Sequence, residues 1–125
     1  MQRSDSLIRT FEVMESTRQK KVSKVYQQEL GVYFQRNGTS FAKGGMITVT
    51  VVRVSPDLGV AKVYLSIFAV DDKEAVLKEI KGRDWEVRKY LASQRPEMRV
   101  VPELHFYIDD SLDHIERIDE LLKGG

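Results

Sequence analysis

Apolar residues return at helical spacing soon after a polar start to the chain. Val22, Val25, Tyr26, Leu30 and Phe34 share one face, and Lys20, Lys21, Lys24, Gln27 and Gln28 lie opposite. Ser16 followed by Gln19 has the form of a capping box, in which hydroxyl and amide each satisfy an orphan backbone N–H. Asn37-Gly38 offers a stop where positive φ is cheap, so the pattern predicts a helix opened by Ser16 and closed by Asn37-Gly38. Past Gly44-Gly45 the period changes. The stretch from Met46 to Val54 is dense in β-branched residues, and Ser55-Pro56-Asp57-Leu58-Gly59 is a turn signal. From Val60 to Phe68 the chain alternates, with Ala61, Val63, Leu65 and Ile67 facing one way and Lys62, Tyr64 and Ser66 the other. These runs predict a hairpin with one packed face and one face toward water.

Asp71 with Glu74 predicts a second capping box, and Val76, Leu77, Ile80, Val87, Tyr90 and Leu91 continue at helical spacing until Arg95-Pro96 stops them. Gly82 lies inside this run, and Arg83 and Asp84 fall where the apolar stripe should continue, so a bend or break is expected within residues 81–85. The stretch from Val100 to Ile108 predicts a third strand, with Leu104, Phe106 and Ile108 on one face and His105 and Tyr107 on the other. Pro102 suits an edge or entry position there. Asp110 with Asp113 is positioned to cap a last helix striped by Leu112, Ile115, Ile118, Leu121 and Leu122. Residues 1–14, with scattered Leu7, Ile8, Phe11 and Val13, read as a flexible N-terminal extension, leaving one domain over residues 15–123. The order is α-β-β-α-β-α, an α+β pattern. A right-handed crossover makes the second and third strands parallel, giving a mixed three-stranded sheet packed against helices with residues 60–68 in the centre. Several α+β topologies share this order.

Composition narrows the chemistry. The 125 residues contain no cysteine, which removes disulfides and thiolate metal sites, and only two histidines, His105 and His114. No apolar run is long enough to span a bilayer, and no membrane partner is expected. The net charge of +1 conceals a division. Residues 1–102 carry 18 Lys and Arg against 12 Asp and Glu, whereas residues 103–125 carry 2 against 7. A chain polarised in this way can turn a basic face to a polyanion, although ordinary domains also show such asymmetry.

No arrangement of nucleophile, base and oxyanion donor emerges, and no enzyme is expected. Ser55-Pro56-Asp57 reads as a side-chain-stabilised turn. Asp110 reads as a helix cap, Asp109 as solvent-exposed, and both histidines as surface or half-buried residues. No cofactor and no metal is implied. The basic groups are more suggestive: Arg18, Lys20, Lys21 and Lys24 cluster at the start of the first helix, and Arg83, Arg88 and Lys89 lie around the irregular point of the second. Both clusters suit phosphate contacts. Trp85 is either a core or cover residue or an exposed platform for base stacking, and Tyr64 and Tyr107 either stack or cover a helix.

Val54-Ser55-Pro56-Asp57-Leu58 with Ala61-Lys62-Val63-Tyr64-Leu65-Ser66 resembles the signature of the ribosome-binding factor A family. So do Arg99 to Ser111 (RVVPELHFYIDDS), Glu116 to Leu122 (ERIDELL) and the basic helix start Arg18-Gln19-Lys20-Lys21-Val22. The resemblance covers about residues 15–123. It implies a bacterial cytoplasmic protein with a KH-like domain of the second type, which binds the immature small ribosomal subunit and its ribosomal RNA. It further implies help in maturing the RNA 5′ end, importance in the cold, and no catalytic activity. The family carries a helix–kink–helix marked by Ala-x-Gly in place of the usual Gly-x-x-Gly loop. Here Arg83, Asp84 and Trp85 stand at the matching positions, and Gly82 is the nearest glycine. The RNA-binding residues expected on this reading are Arg18, Lys20, Lys21, Lys24, Arg83, Trp85, Arg88 and Lys89, in a monomer. The alternative is a protein-interaction module of the same topology, acting through its strand edge or acidic C-terminal helix.

Overall fold

The computed structural model describes residues 15–98 and 100–109. The expected extension at residues 1–14, the caps at Asp110 and Asp113, His114 and the last helix lie outside the described residues.

Helix α1 spans Thr17–Phe41 and opens with the capping box read from Ser16 and Gln19. It does not stop at Asn37-Gly38. Gly38 is buried, and its carbonyl accepts the backbone N–H of Ala42, the C-cap residue. Continuing for one more turn buries Phe41 beside Tyr33 and Phe34, with ring centroids 6.4 and 5.8 Å away. Burying a phenylalanine is worth about 1.5–3 kcal/mol, more than the roughly 1 kcal/mol that a helical glycine costs. The chain reverses instead at Gly44, whose φ of +72° lies in the left-handed region. Gly45 then passes so close to Phe68 that a Cβ would sit 2.8 Å from its carbonyl oxygen.

Strands β1 (Met46–Val54) and β2 (Val60–Phe68) pair antiparallel, with a register shift between Val49 and Val51 that leaves Thr50 at a bulge. Helix α2 (Lys73–Gly82) follows. Its cap is Asp72, which accepts from the Ala75 N–H, one residue later than the expected Asp71. The break falls where Gly82 and Arg83 predicted it: α2 ends at Gly82, Arg83 leaves helical geometry, and α3 runs from Asp84 to Gln94. Strand β3 is Glu103–Ile108, shorter than expected. Val100 is largely exposed, and Pro102, which has no N–H to donate, is the buried residue just before the strand.

The sheet order is β1-β2-β3, with β2 central and parallel to β3. One face carries Ile47, Val49, Val52, Val54, Ala61, Val63, Leu65, Ile67, Leu104 and Phe106 into a single core with Tyr26, Leu30 and Phe34 of α1 and the apolar residues of α2 and α3. Leu65, Val63 and Ala61 on the central strand are completely buried.

Candidate nucleic-acid interface

The helical layer presents two basic regions. Gln19 and Gln27 fix the roll of α1 by donating to the carbonyls of Val54 and Thr50, 2.9 and 3.0 Å away on the free edge of β1. These bonds cap that edge and turn Arg18, Lys20, Lys21 and Lys24 to solvent, where all four are exposed. At about 100° per residue they spread over roughly 160° of the outer surface of α1, a broad cationic arc rather than a single row.

The second region is set by the break between α2 and α3. Trp85, Arg88 and Lys89 follow at i, i+3 and i+4, so they share one face of α3. Trp85 is 60% exposed, so it is not part of the core. Lys81, in the last turn of α2, is exposed just before the break. Sequence reasoning passes over it, because on a continuous helix it is one charge among several. Arg88 donates to the Val101 carbonyl at 3.3 Å, which leaves the rest of its guanidinium fork on an exposed residue.

Arg83 behaves differently. Its guanidinium hydrogen-bonds the Glu86 carboxylate, lies 3.6 Å from Glu79, stacks 4.0 Å from the Phe41 ring centroid and reaches the Ser40 carbonyl at 3.3 Å. The bond to Glu86 is the main cause of its raised pKa. The side chain ties the α2–α3 junction to the end of α1. The N-terminus of α3 has no side-chain cap, and Asp84 and Glu86 in its first turn oppose a bound phosphate.

The structure brings Trp85, Arg88 and Lys89 together but keeps them apart from Lys20, Lys21 and Lys24. Tyr90 packs on Tyr33 with ring centroids 5.1 Å apart, and Arg95 bridges to Glu29 at 2.9 Å, so α3 runs antiparallel along the C-terminal half of α1. The α1 cations lie beyond the end of α3, about 20 Å from Arg88 along the helix axis at 1.5 Å per residue.

On the opposite side of the sheet, Tyr64 and Tyr107 stack on each other with centroids 5.3 Å apart and a 26° interplanar angle. His105 is exposed and lies 3.4 Å from Glu103. Asp109 is half-buried, not solvent-exposed: its carboxylate accepts the Thr50 hydroxyl at 2.7 Å. Among the described residues there is no cluster of His, Asp and Glu able to hold a metal ion, and no helix is long and apolar enough to cross a membrane.

Over the described residues, the α-β-β-α-α-β order with a mixed three-stranded sheet and a broken helix pair has the architecture of a KH-like domain of the second type. A sequence model of the ribosome-binding factor A family matches residues 18–122, and the chain belongs to that family. It is 44% identical to ribosome-binding factor A of Cytophaga hutchinsonii over 110 residues, covering 87% of this chain and 83% of that protein. It is 43% identical to the Flavobacterium psychrophilum protein over 116 residues, covering 89% and 87%. The crystal structure of ribosome-binding factor A from Thermus thermophilus superposes with a TM-score of 0.60 at 25% identity, over 72% of this chain and 93% of that one. Members of this family are non-catalytic factors in maturation of the small ribosomal subunit.

Proposed function

We propose that this chain acts in the cytoplasm as a maturation factor that holds the immature small ribosomal subunit through its ribosomal RNA, mainly at the phosphate backbone, and assists processing of the RNA 5′ end. The observation that carries the reading is the joint exposure of Trp85, Arg88 and Lys89 on one face of α3, beside a helix break and within the domain that the family match covers. Lys20, Lys21, Lys24 and Arg18 form a second handhold on α1. Two cationic regions about 20 Å apart fit a folded RNA surface better than a single phosphate, and such surfaces are recognised largely by shape. Lys81 joins the α3 group. Arg83 holds the junction that presents it.

A protein-interaction module working through the strand edge has less support, because Gln19 and Gln27 already occupy carbonyls on the free edge of β1.

The test is binding of purified immature small subunits at several salt concentrations, by the parent and by the combined Lys20→Ala, Lys21→Ala and Arg88→Ala variant. Each lost phosphate contact should lower the slope of log affinity against log salt by roughly 0.7–0.9, so the triple variant should lose about 2–3. A variant that binds as tightly as the parent, or a parent whose affinity ignores salt, refutes the reading.

A further inference from the structure

The two halves of the β1 edge differ. The Asp109 N–H donates to the Leu65 carbonyl at 2.7 Å, so Leu65 turns its backbone groups toward β3. Its register partner on β1 is Val49, which therefore turns its own N–H and C=O outward, as does Ile47 two residues earlier. Past the bulge the outward carbonyls are those of Thr50, Val52 and Val54. Each has a side-chain donor: Gln27 at 3.0 Å, Arg53 Nη1 at 3.4 Å and Gln19 at 2.9 Å. Among the described residues, no side chain serves the backbone of Ile47 or Val49 in this way. The bonds that close the edge stop at Thr50, and an unpaired edge is a template for another extended chain.

A groove of about 450 Å³ runs between this open stretch and α1, where Gly31 and Gly38 line it on either side of Gln35. Gly38 adjoins the open backbone: a Cβ there would come 3.9 Å from the Ile47 nitrogen. Among the described residues, nothing outside the helix backbone lies within 4 Å of where a Gly31 Cβ would stand. Packing inside the chain therefore does not call for glycine at that position, and glycine weakens a helix relative to alanine. A strand added to the edge would turn alternate side chains toward α1, where these two positions leave room.

No residue lining this groove is charged. Its continuation past Gly31, Gln35 and Val49 ends at Lys24, one of the α1 cations. An uncharged extended segment fits such a lining, with main-chain hydrogen bonds supplying its affinity. Members of the family act on the small ribosomal subunit, and Lys24 belongs to the handhold assigned above to its RNA. A chain entering the groove beside Lys24 therefore belongs to a protein of the same particle.

We propose that the Met46–Val49 edge of β1 takes up an extended, uncharged segment of a small-subunit protein as an added strand, beside RNA held by Lys20, Lys21 and Lys24. This rests on the function proposed above and adds a protein contact to it.

The test uses the full chain carrying Gly31→Leu, whose side chain fills the groove and favours the helix. Its denaturant midpoint should equal or exceed that of the parent. Binding to intact immature small subunits should weaken about tenfold, the equivalent of one or two backbone hydrogen bonds, with the parent's salt slope. Binding to small-subunit RNA stripped of protein should not change. Lys24→Ala should do the opposite, lowering the slope on both. Because the chain has no cysteine, Gln35→Cys can carry a single benzophenone. In purified subunits it should photolink to a subunit protein, several-fold less when Gly31→Leu is added. Full affinity of Gly31→Leu for intact subunits, or an equal loss on stripped RNA, would overturn the proposal. So would links confined to RNA or to a second copy of the chain, and this result decides alone if the Gly31→Leu midpoint falls. The parent's own salt dependence tests the function proposed above separately, whereas the comparison of intact with stripped subunits tests the added strand.

Discussion

Asp57 fixes the hairpin from a single carboxylate. It accepts the Ser55 hydroxyl at 2.6 Å and the Gly59 N–H at 3.0 Å, while Ser55 Oγ takes the Val60 N–H at 3.0 Å. The Ser55 bond, followed by the Gly59 N–H, holds the Asp57 carboxyl below its usual range. A carboxyl whose folded pKa is depressed contributes stability that is present above its unfolded value and lost as pH falls through the folded one. The expected outcome is therefore a carboxyl-carbon NMR titration of Asp57 with a lower midpoint in the folded chain than in denaturant. An equal or higher folded midpoint would show that these bonds do not favour the ionised form. The turn also carries Leu58 at a φ of +62°, a conformation that costs an L-residue roughly 1–2 kcal/mol; its side chain packs against the core, which offsets the strain. The Ser55–Asp57 chemistry was legible in the sequence because its partners are two to five residues apart. Asp109 was misread because its partner, Thr50, is 59 residues away and faces it only through the β1 bulge.

At the scale of elements, the two glycines read as helix breakers had opposite outcomes. Gly82 sits where no apolar stripe continues, and the helix ends there. Gly38 is followed by Phe41, whose burial carries α1 onward. Local propensity decides a boundary only where tertiary burial does not override it. The break also needs a fixed angle, and Arg83 supplies it by joining Glu79 and Glu86 to Ser40 and the Phe41 ring. Arg83→Ala should lower the denaturant midpoint and loosen the Trp85 region in hydrogen exchange, while leaving the salt slope of small-subunit binding near that of the parent. Arg83→Lys should recover little, since an ammonium cannot reproduce the planar stack and fork. A drop in slope as large as that of Arg88→Ala would show instead that the Arg83 guanidinium reaches a phosphate.

For the whole molecule, the residue types of the proposed binding surface were readable and their arrangement was not. Arg18 to Lys24 and Arg83 to Lys89 are visible as basic clusters, but their distance apart depends on α3 lying antiparallel along the C-terminal half of α1, through the Tyr33–Tyr90 and Glu29–Arg95 contacts. The exposure of Trp85 depends on the same packing: Val87 and Leu91 fill the core from α3 and leave the first turn of that helix outside. Trp85 is the sole tryptophan, so its fluorescence reports on one site. Small-subunit RNA should quench that emission if a base stacks on the ring. Trp85→Ala should then weaken binding by about 1–3 kcal/mol, or roughly 5- to 150-fold. Because stacking releases no counterions, the loss should persist with an unchanged salt slope, in contrast to Arg88→Ala. An emission spectrum unaltered at saturating small-subunit RNA, together with full affinity in Trp85→Ala, would remove the ring from the interface and leave phosphate contacts as the only support for the α3 face.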